Sequence, residues 1–532
     1  MGHQVLSRDE HLFLPGPKRI LCLDGGGLRG LFSLGILRRL EQLLRERHGG
    51  DPGFRLCHYF DLIAGTSTGA IIASTLALGF SVDEVLQHYQ QLGRQVFRPE
   101  LLRRGIFRAR YDERALEENL RRLIGAERTL GSADLRTGLL IVTKRLDSGS
   151  PWPLSNNPRG LFHGAPVGAD WLANADYPLW KVVRASAAAP SFFDPQTITI
   201  ASAAGKQDVV ATFVDGGVTP WNNPALQAFL FATLKGYRLQ WPIGPEQMLL
   251  VSVGTGRPDP ARRPAGMAAA EAIDALMGLM DDCSSVVELL LQGLAASPTA
   301  RQIDREIGDL RGDLLAGQPL LSYLRYDLPL TADAVGQLVP GVSAAELASL
   351  ARMDDPDAME LLLHLGSAAA LVQLDEGHFP AGFDLPAPPL EAPTRAPQAG
   401  GGRRPYRRRD DQPIVAVRLD LDTDGFAYRK WGDLQRCKQG DWLATNGLET
   451  YTIDADTFQR TYRPLGDGRY RKVTPTWAQR ASTDGTVATK EGLTHYRAGD
   501  YLASNEADGG DPWAIPAERF ETLYEPCPEP AP

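Results

Sequence analysis

Histidine is scarce in this chain, nine residues in 532, and cysteine scarcer still, with five at positions 22, 57, 283, 437 and 527. An odd count with no Cys-x-x-Cys pair suits neither a zinc ribbon nor a disulfide framework, so no metal site is expected and the expected setting is cytoplasmic. No apolar run reaches the ~18 residues of a membrane span before charge or glycine interrupts it, and any membrane contact should be peripheral. Positive charge is in deficit as well: 56 Lys and Arg face 65 Asp and Glu, a net charge of -9. Nucleic-acid binding depends on a basic footprint that this balance lacks, which excludes a general polyanion binder. Residues 1–16 carry charge and no apolar h-region, so they read as a short leader and not a secretory signal. Gly2 would suit N-myristoylation with Ser or Thr at position 6, but Leu6 stands there.

What the chain has is glycine, 54 residues of it, and an ordinary globular composition with 43% hydrophobic residues, at a length that predicts more than one domain. Residues 17–260 alternate strand-like runs ("RILCLD", "FDLIAG", "GLLIVT", "ATFVDGG", "MLLVSVGTG") with helix-like stretches ("GLFSLGILRRLEQLLRE", "GAIIASTLALG", "VDEVLQHYQQLG"). That is an α/β pattern. Residues 261–382 turn alanine- and leucine-rich and read as a helical tail of the same domain. Residues 383–413 combine prolines, a Gly-Gly-Gly and the arginines 403, 404, 407, 408 and 409, a composition expected to form a mobile linker. Its charge run reads as solvated, with attraction to anionic lipid or nucleotide as the alternative.

Beyond the linker, residues 414–532 contain a duplication: "GDWLATN" at 440–446 recurs as "GDYLASN" at 499–505, and "IDADTFQRTY" at 453–462 as "IPAERFETLY" at 515–524. The two units, about 414–465 and 473–527, are expected to be β-rich and to need each other to close a core. Trp442, Tyr501 and Trp513 fit core or interface positions better than a ligand groove.

Two short stretches carry chemistry. "RILCLDGGGLRGLF" places Gly25, Gly27 and Gly30 at dinucleotide-fingerprint spacing between a strand and a helix. "YFDLIAGTSTGAIIAS" holds G-x-S-x-G as Gly65, Ser67 and Gly69 in the strand-to-helix setting of a nucleophile elbow. A serine needs a base and donors for the oxyanion it creates. The N–H groups of Gly25, Gly26 and Gly27 can supply those donors, with Arg29 supporting the anion or bracing the loop. The dinucleotide reading demands an acid at the end of the following strand, yet Asp51, at the right distance, lies in the turn "HGGDPGF". A Ser-acid-His triad would leave His378 as the plausible histidine. Asp215, between an apolar strand and Gly216–Gly217, offers a carboxylate that could accept the serine proton directly.

Together "DGGGLRG", "GTSTG" and "DGG", in that order, resemble the patatin-like phospholipases. "KVVRASAAAPSFFDP" (181–195) also looks like a segment of bacterial members. The resemblance implies a three-layer α/β/α catalytic domain and hydrolysis of lipid acyl esters without a cofactor. It makes Ser67 the nucleophile, Asp215 the base and Gly25, Gly26 and Gly27 the oxyanion donors, with Arg29, Gly65, Gly69, Gly216 and Gly217 in support. Membrane phospholipid or another acyl lipid becomes the expected partner, met peripherally at the cytoplasmic membrane surface. Some bacterial members are antiphage effectors switched by cyclic nucleotides, which makes a regulatory nucleotide an expected further partner. The competing expectation is a non-catalytic regulatory protein that binds nucleotide on its glycine loop.

Overall fold

The computed structural model describes residues 5–97, 111, 113–166, 168–190, 192–202, 208–259, 268–385, 403–409, 413–420, 426–430, 433–437, 439–445, 450–489, 492–507 and 512–527. Residues 1–388 and 389–532 form two compact units.

The first unit is built on one sheet of nine strands among the described residues: β1 (Lys18–Leu23), β2 (Leu62–Thr66), β3 (Gly138–Arg145), β4 (Pro151–Ser155), β5 (Gln196–Ala201), β6 (Val209–Asp215), β7 (Met248–Val253), β8 (Ala295–Ala296) and β9 (Leu321–Tyr326). Their order is β5-β6-β3-β2-β1-β7-β9-β8, with β4 beside β3. The centre is parallel, Leu23 standing opposite Gly65 and Thr66 opposite Val142, while β6 runs antiparallel to β3 with Asp215 opposite Thr143. Every residue of β1, β2 and β7 is buried, as expected for parallel strands covered on both faces. Alternation then divides the side chains: Leu21 and Leu23 of β1 join one apolar cluster, Ile20 and Cys22 another.

Helices form the outer layers. α1 (Arg8–Phe13), α2 (Gly30–Arg47), α3 (Thr68–Ala77), α4 (Val82–Val96), α5 (Glu113–Ile124), α6 (Leu179–Ser186), α7 (Ala225–Thr233), α8 (Ala268–Leu294) and α9 (Met359–Gln373) are those that matter below. α2, α3 and α9 pack in the first cluster, α7 and the C-terminal part of α8 in the second, which makes three layers.

Three expectations require correction here. The leader is structural from Ser7 onward: Ser7 and Glu10 form a capping box for α1, and His11 is buried with its Nδ1 2.8 Å from Asp61 Oδ1. The helical tail contributes β9 to the main sheet; "LSYLRY" is bounded by helix-like segments and carries a charge, which masks a buried strand. The domain also runs past 382, because Phe383 and Leu385 are buried in its core.

Among the described residues of the second unit, each repeat forms its own five-stranded antiparallel sheet. The linker expectation fails for its arginines: Arg404–Arg408 is a strand, paired with Thr476–Arg480 and Tyr524–Pro526 in the second repeat's sheet. Arg469–Lys472 does the same in the first, between Ile414–Arg418 and Tyr462–Gly466. The second repeat is therefore completed by a strand from the start of the unit, and "PYRR" at 405–408 is the counterpart of "RYRK" at 469–472. Arg408 is buried, 5.8 Å from the centre of the Tyr524 ring, and Lys472 lies 5.0 Å from that of Trp513. The remaining linker positions 386–402 and 410–412 lie outside the described residues.

Each repeat also has its own apolar cluster, instead of the single shared core expected. Trp442 stacks on Phe458 and Tyr501 on Phe520, both at 4.1 Å, so these aromatics are core residues. Among the described residues the repeats also share a four-stranded sheet of one hairpin from each, joined where Gln435 pairs with Gly492.

Candidate active site

β2 ends and α3 begins at Ser67, whose backbone adopts φ 54° and ψ -122°, a conformation that costs a non-glycine residue roughly 1–3 kcal/mol. Close packing enforces the turn. A Cβ on Gly65 would run into the Gly69 carbonyl, and one on Gly69 into the Leu23 carbonyl, so the flanking glycines let α3 approach β1 and β2. The Ser67 amide donates to Ser186 Oγ at 2.9 Å, and that hydroxyl donates to the Val142 carbonyl at 2.6 Å. Ser186 is fully buried at the end of α6. Nothing in its local sequence distinguishes it from a small helix-end residue, and only the fold brings it to the elbow.

Asp215 reaches Ser67 from the opposite direction, because β6 descends antiparallel and ends at the level where the elbow turns. Ser67 Oγ donates to Asp215 Oδ2 at 2.6 Å. The other carboxylate oxygen accepts the Gly217 amide at 2.7 Å, and a Cβ on Gly216 would strike the Val142 carbonyl. Asp215 is 4% exposed. Burial pushes its pKa up to about 7, against the opposing pull of the Ser67 and Gly217 hydrogen bonds and the Arg184 charge. A carboxylate so placed is matched to proton exchange near neutral pH.

The glycine loop lies beside this pair, but its amides are not equivalent. Gly25 N–H donates to the Asn222 carbonyl at 3.1 Å, which removes it from the expected donor set. Among the described residues the Gly26 and Gly27 amides have no hydrogen-bond partner. They stand where the chain turns into the short 3-10 segment Gly27–Arg29 ahead of α2, with Gly27 at φ 58°. Arg29 does not line the pocket that contains Ser67 and Asp215. It is buried with its Nη1 donating to the Gly256 carbonyl at 3.2 Å, which is the bracing role. A second brace was not legible in the sequence: Arg325 of β9 holds both carboxylate oxygens of Asp24, at 3.0 and 2.6 Å, and so fixes the loop's first residue. Burial still raises the Asp24 pKa to about 6.

Above Ser67 opens an apolar pocket of about 870 Å³, its solvent mouth included. Ile71, Tyr89, Leu92, Phe97, Leu116 and Phe193 line it, with Met277, Met280 and Met353 on a further side. A flexible hydrocarbon chain suits such walls. The histidine alternative does not assemble: His378 Nδ1 lies 3.0 Å from the Tyr326 hydroxyl and outside the pocket. Asp51 accepts the Gly53 amide at 2.7 Å within its turn, leaving the dinucleotide reading without its strand-end acid. Among the described residues no group of three or more His, Cys, Asp or Glu is placed to hold a metal, and no helix is long and apolar enough to cross a membrane.

With strand, elbow, dyad and glycine loop in place, comparison with known proteins gives the class: residues 21–229 match the model of the patatin-like phospholipase family, and the chain carries a domain of that family. Among relatives, a cGAMP-activated phospholipase of Vibrio cholerae is 31% identical over 226 residues, 41% of this chain and 58% of that protein. A protein of Arabidopsis thaliana named probable inactive patatin-like protein 9 is 30% identical over 251 residues, 45% of this chain and 60% of its own. The chain thus spans about six-tenths of the length of these relatives. The solved structure of human GIVD cytosolic phospholipase A2 aligns at 14% identity with a TM-score of 0.34, covering 70% of this chain and 60% of that one.

Proposed function

We propose that this protein is a lipid acyl hydrolase of phospholipase A type, acting on carboxylic esters of membrane lipids from the cytoplasmic surface. The observation that carries the reading is the 2.6 Å hydrogen bond from Ser67 to a buried carboxylate at the floor of an apolar pocket. Ser67 Oγ attacks the ester carbonyl while its proton passes to Asp215 Oδ2. The displaced electron pair rests on the carbonyl oxygen, which accepts the Gly26 and Gly27 amides. Collapse breaks the bond to the alcohol, Asp215 returns the proton to it, and water then releases the acyl group by the same route. No cofactor takes part.

Regulation belongs to the proposal too. Kinship with a phospholipase named as cGAMP-activated supports a cyclic dinucleotide as activator, and a membrane-degrading defence role is proposed from the family resemblance alone. The test uses phospholipid vesicles with and without cyclic dinucleotides. Fatty-acid release by the wild type and none by Ser67→Ala supports the reading, whereas equal release by the two removes it. Stimulation of the wild type by a cyclic dinucleotide supports the regulatory part, and a response indifferent to every dinucleotide tried removes that part alone.

A further inference from the structure

Asn222 is a polar residue at the site for which the mechanism above has no use. Its backbone carbonyl consumes the Gly25 amide, and its side chain, in a residue 7% exposed, lines both the apolar pocket and a second, charged cavity that contains Ser284. The carboxamide is poorly matched to its surroundings as oriented. Oδ1 is buried with no hydrogen-bond partner among the described residues, and Nδ2 reaches Ser284 Oγ only at 3.5 Å. Leaving a buried polar atom unpaired is destabilising.

The head group stands between the two loops that build the site. Asn222 Oδ1 is 2.5 Å, and Ser67 Cβ 3.1 Å, from the point a Cβ on Gly25 would occupy. Around the corresponding point on Gly217, Asn222 Oδ1 and Asp215 Oδ1 each lie at 3.0 Å. A half-turn about Cβ–Cγ exchanges oxygen for nitrogen within the same volume. The Ser284 hydroxyl can then donate to Oδ1, and an N–H faces the dyad. There a developing oxyanion can accept from that N–H.

Resting on the acyl-hydrolase reading, we infer that Asn222 is a catalytic residue whose carboxamide N–H is the third oxyanion donor, in the place Gly25 gives up. As the Ser67 Oγ–carbon bond forms, the serine proton goes to Asp215 and the carbonyl π pair to the oxygen held by Gly26, Gly27 and Asn222. When the pair returns, the carbon–alcohol bond breaks and the alcohol takes the proton from Asp215. Ser284 is a positioning residue that keeps the amide turned.

The experiment compares full-length wild type, Asn222→Ala, Asn222→Asp and Ser284→Ala on a p-nitrophenyl acyl ester. Both Asn222 variants should lose about 100–1000-fold in kcat with KM within about twofold, as expected for an oxyanion donor. Ser284→Ala should lose about fivefold, the worth of one ordinary hydrogen bond. A long-chain trifluoromethyl ketone, which Ser67 converts to an oxyanionic hemiketal, should weaken in parallel with kcat, while an unreactive ether analogue binds unchanged. Should Asn222→Ala fail to fold, the near-isosteric Asn222→Asp carries the test. Folded Asn222 variants with kcat near that of the wild type, or equal weakening of ketone and ether, overturn the inference. A wild type that neither cleaves esters nor is labelled at Ser67 by a fluorophosphonate overturns instead the hydrolase reading beneath it.

Discussion

Asp215 sets the pH behaviour. In the proposed reaction it must be ionised to take the Ser67 proton, and burial holds its pKa at about 7. Ester hydrolysis should therefore rise through pH 7 to a plateau, and a profile flat from pH 5 to 9 would exclude Asp215 as the base. Stability runs the other way. An unfolded Asp titrates near ~3.9, so between there and about 7 the folded state keeps a proton that the unfolded state has released. The contribution of this residue to stability thus falls as pH rises through that window. Asp215→Asn removes the dependence: its hydrolysis should drop by about a thousandfold or more. Its melting temperature should exceed the wild type's above pH 7, the gap closing toward pH 4.

At the scale of elements, the elbow was legible because its demands are local. A strand, two glycines around a serine and a small-residue helix are contiguous, and so is the glycine loop between β1 and α2. Gly69→Ala should show how tight the elbow is. Its Cβ meets the Leu23 carbonyl, so the variant should lose about 1–3 kcal/mol by chemical denaturation and most of its turnover. What sequence reasoning missed depends on distant partners. Ser186 and Arg325 act through side chains that only the closed sheet brings to residues far away in sequence, and the Gly25 amide is spent on the Asn222 carbonyl for the same reason. The strand Arg404–Arg408 was hidden by composition: proline and arginine suggest a solvated tether, yet Tyr406 packs against Phe520 with ring centres 4.9 Å apart. Its likeness to "RYRK" was the available signal.

For the whole molecule, the α/β core and the duplication were both readable, since repeating patterns survive local exceptions. Two compact units with separate apolar clusters predict separable unfolding. Phe520→Ala, a fully buried ring lost from the second repeat, should cost that unit about 3–5 kcal/mol. Calorimetry should show one transition moving down and the first unit's transition unmoved; a uniform shift of both would show that they unfold as one. The central claim, a Ser67–Asp215 dyad cleaving lipid esters, is tested most directly by treating the folded wild type, Ser67→Ala and Asp215→Asn with a lipid-like fluorophosphonate and locating the adduct by peptide mass. Labelling at Ser67 in the wild type, none in Ser67→Ala and greatly slowed labelling in Asp215→Asn is the predicted result. An unlabelled wild type, or an adduct on another residue that persists in Ser67→Ala, would contradict the account.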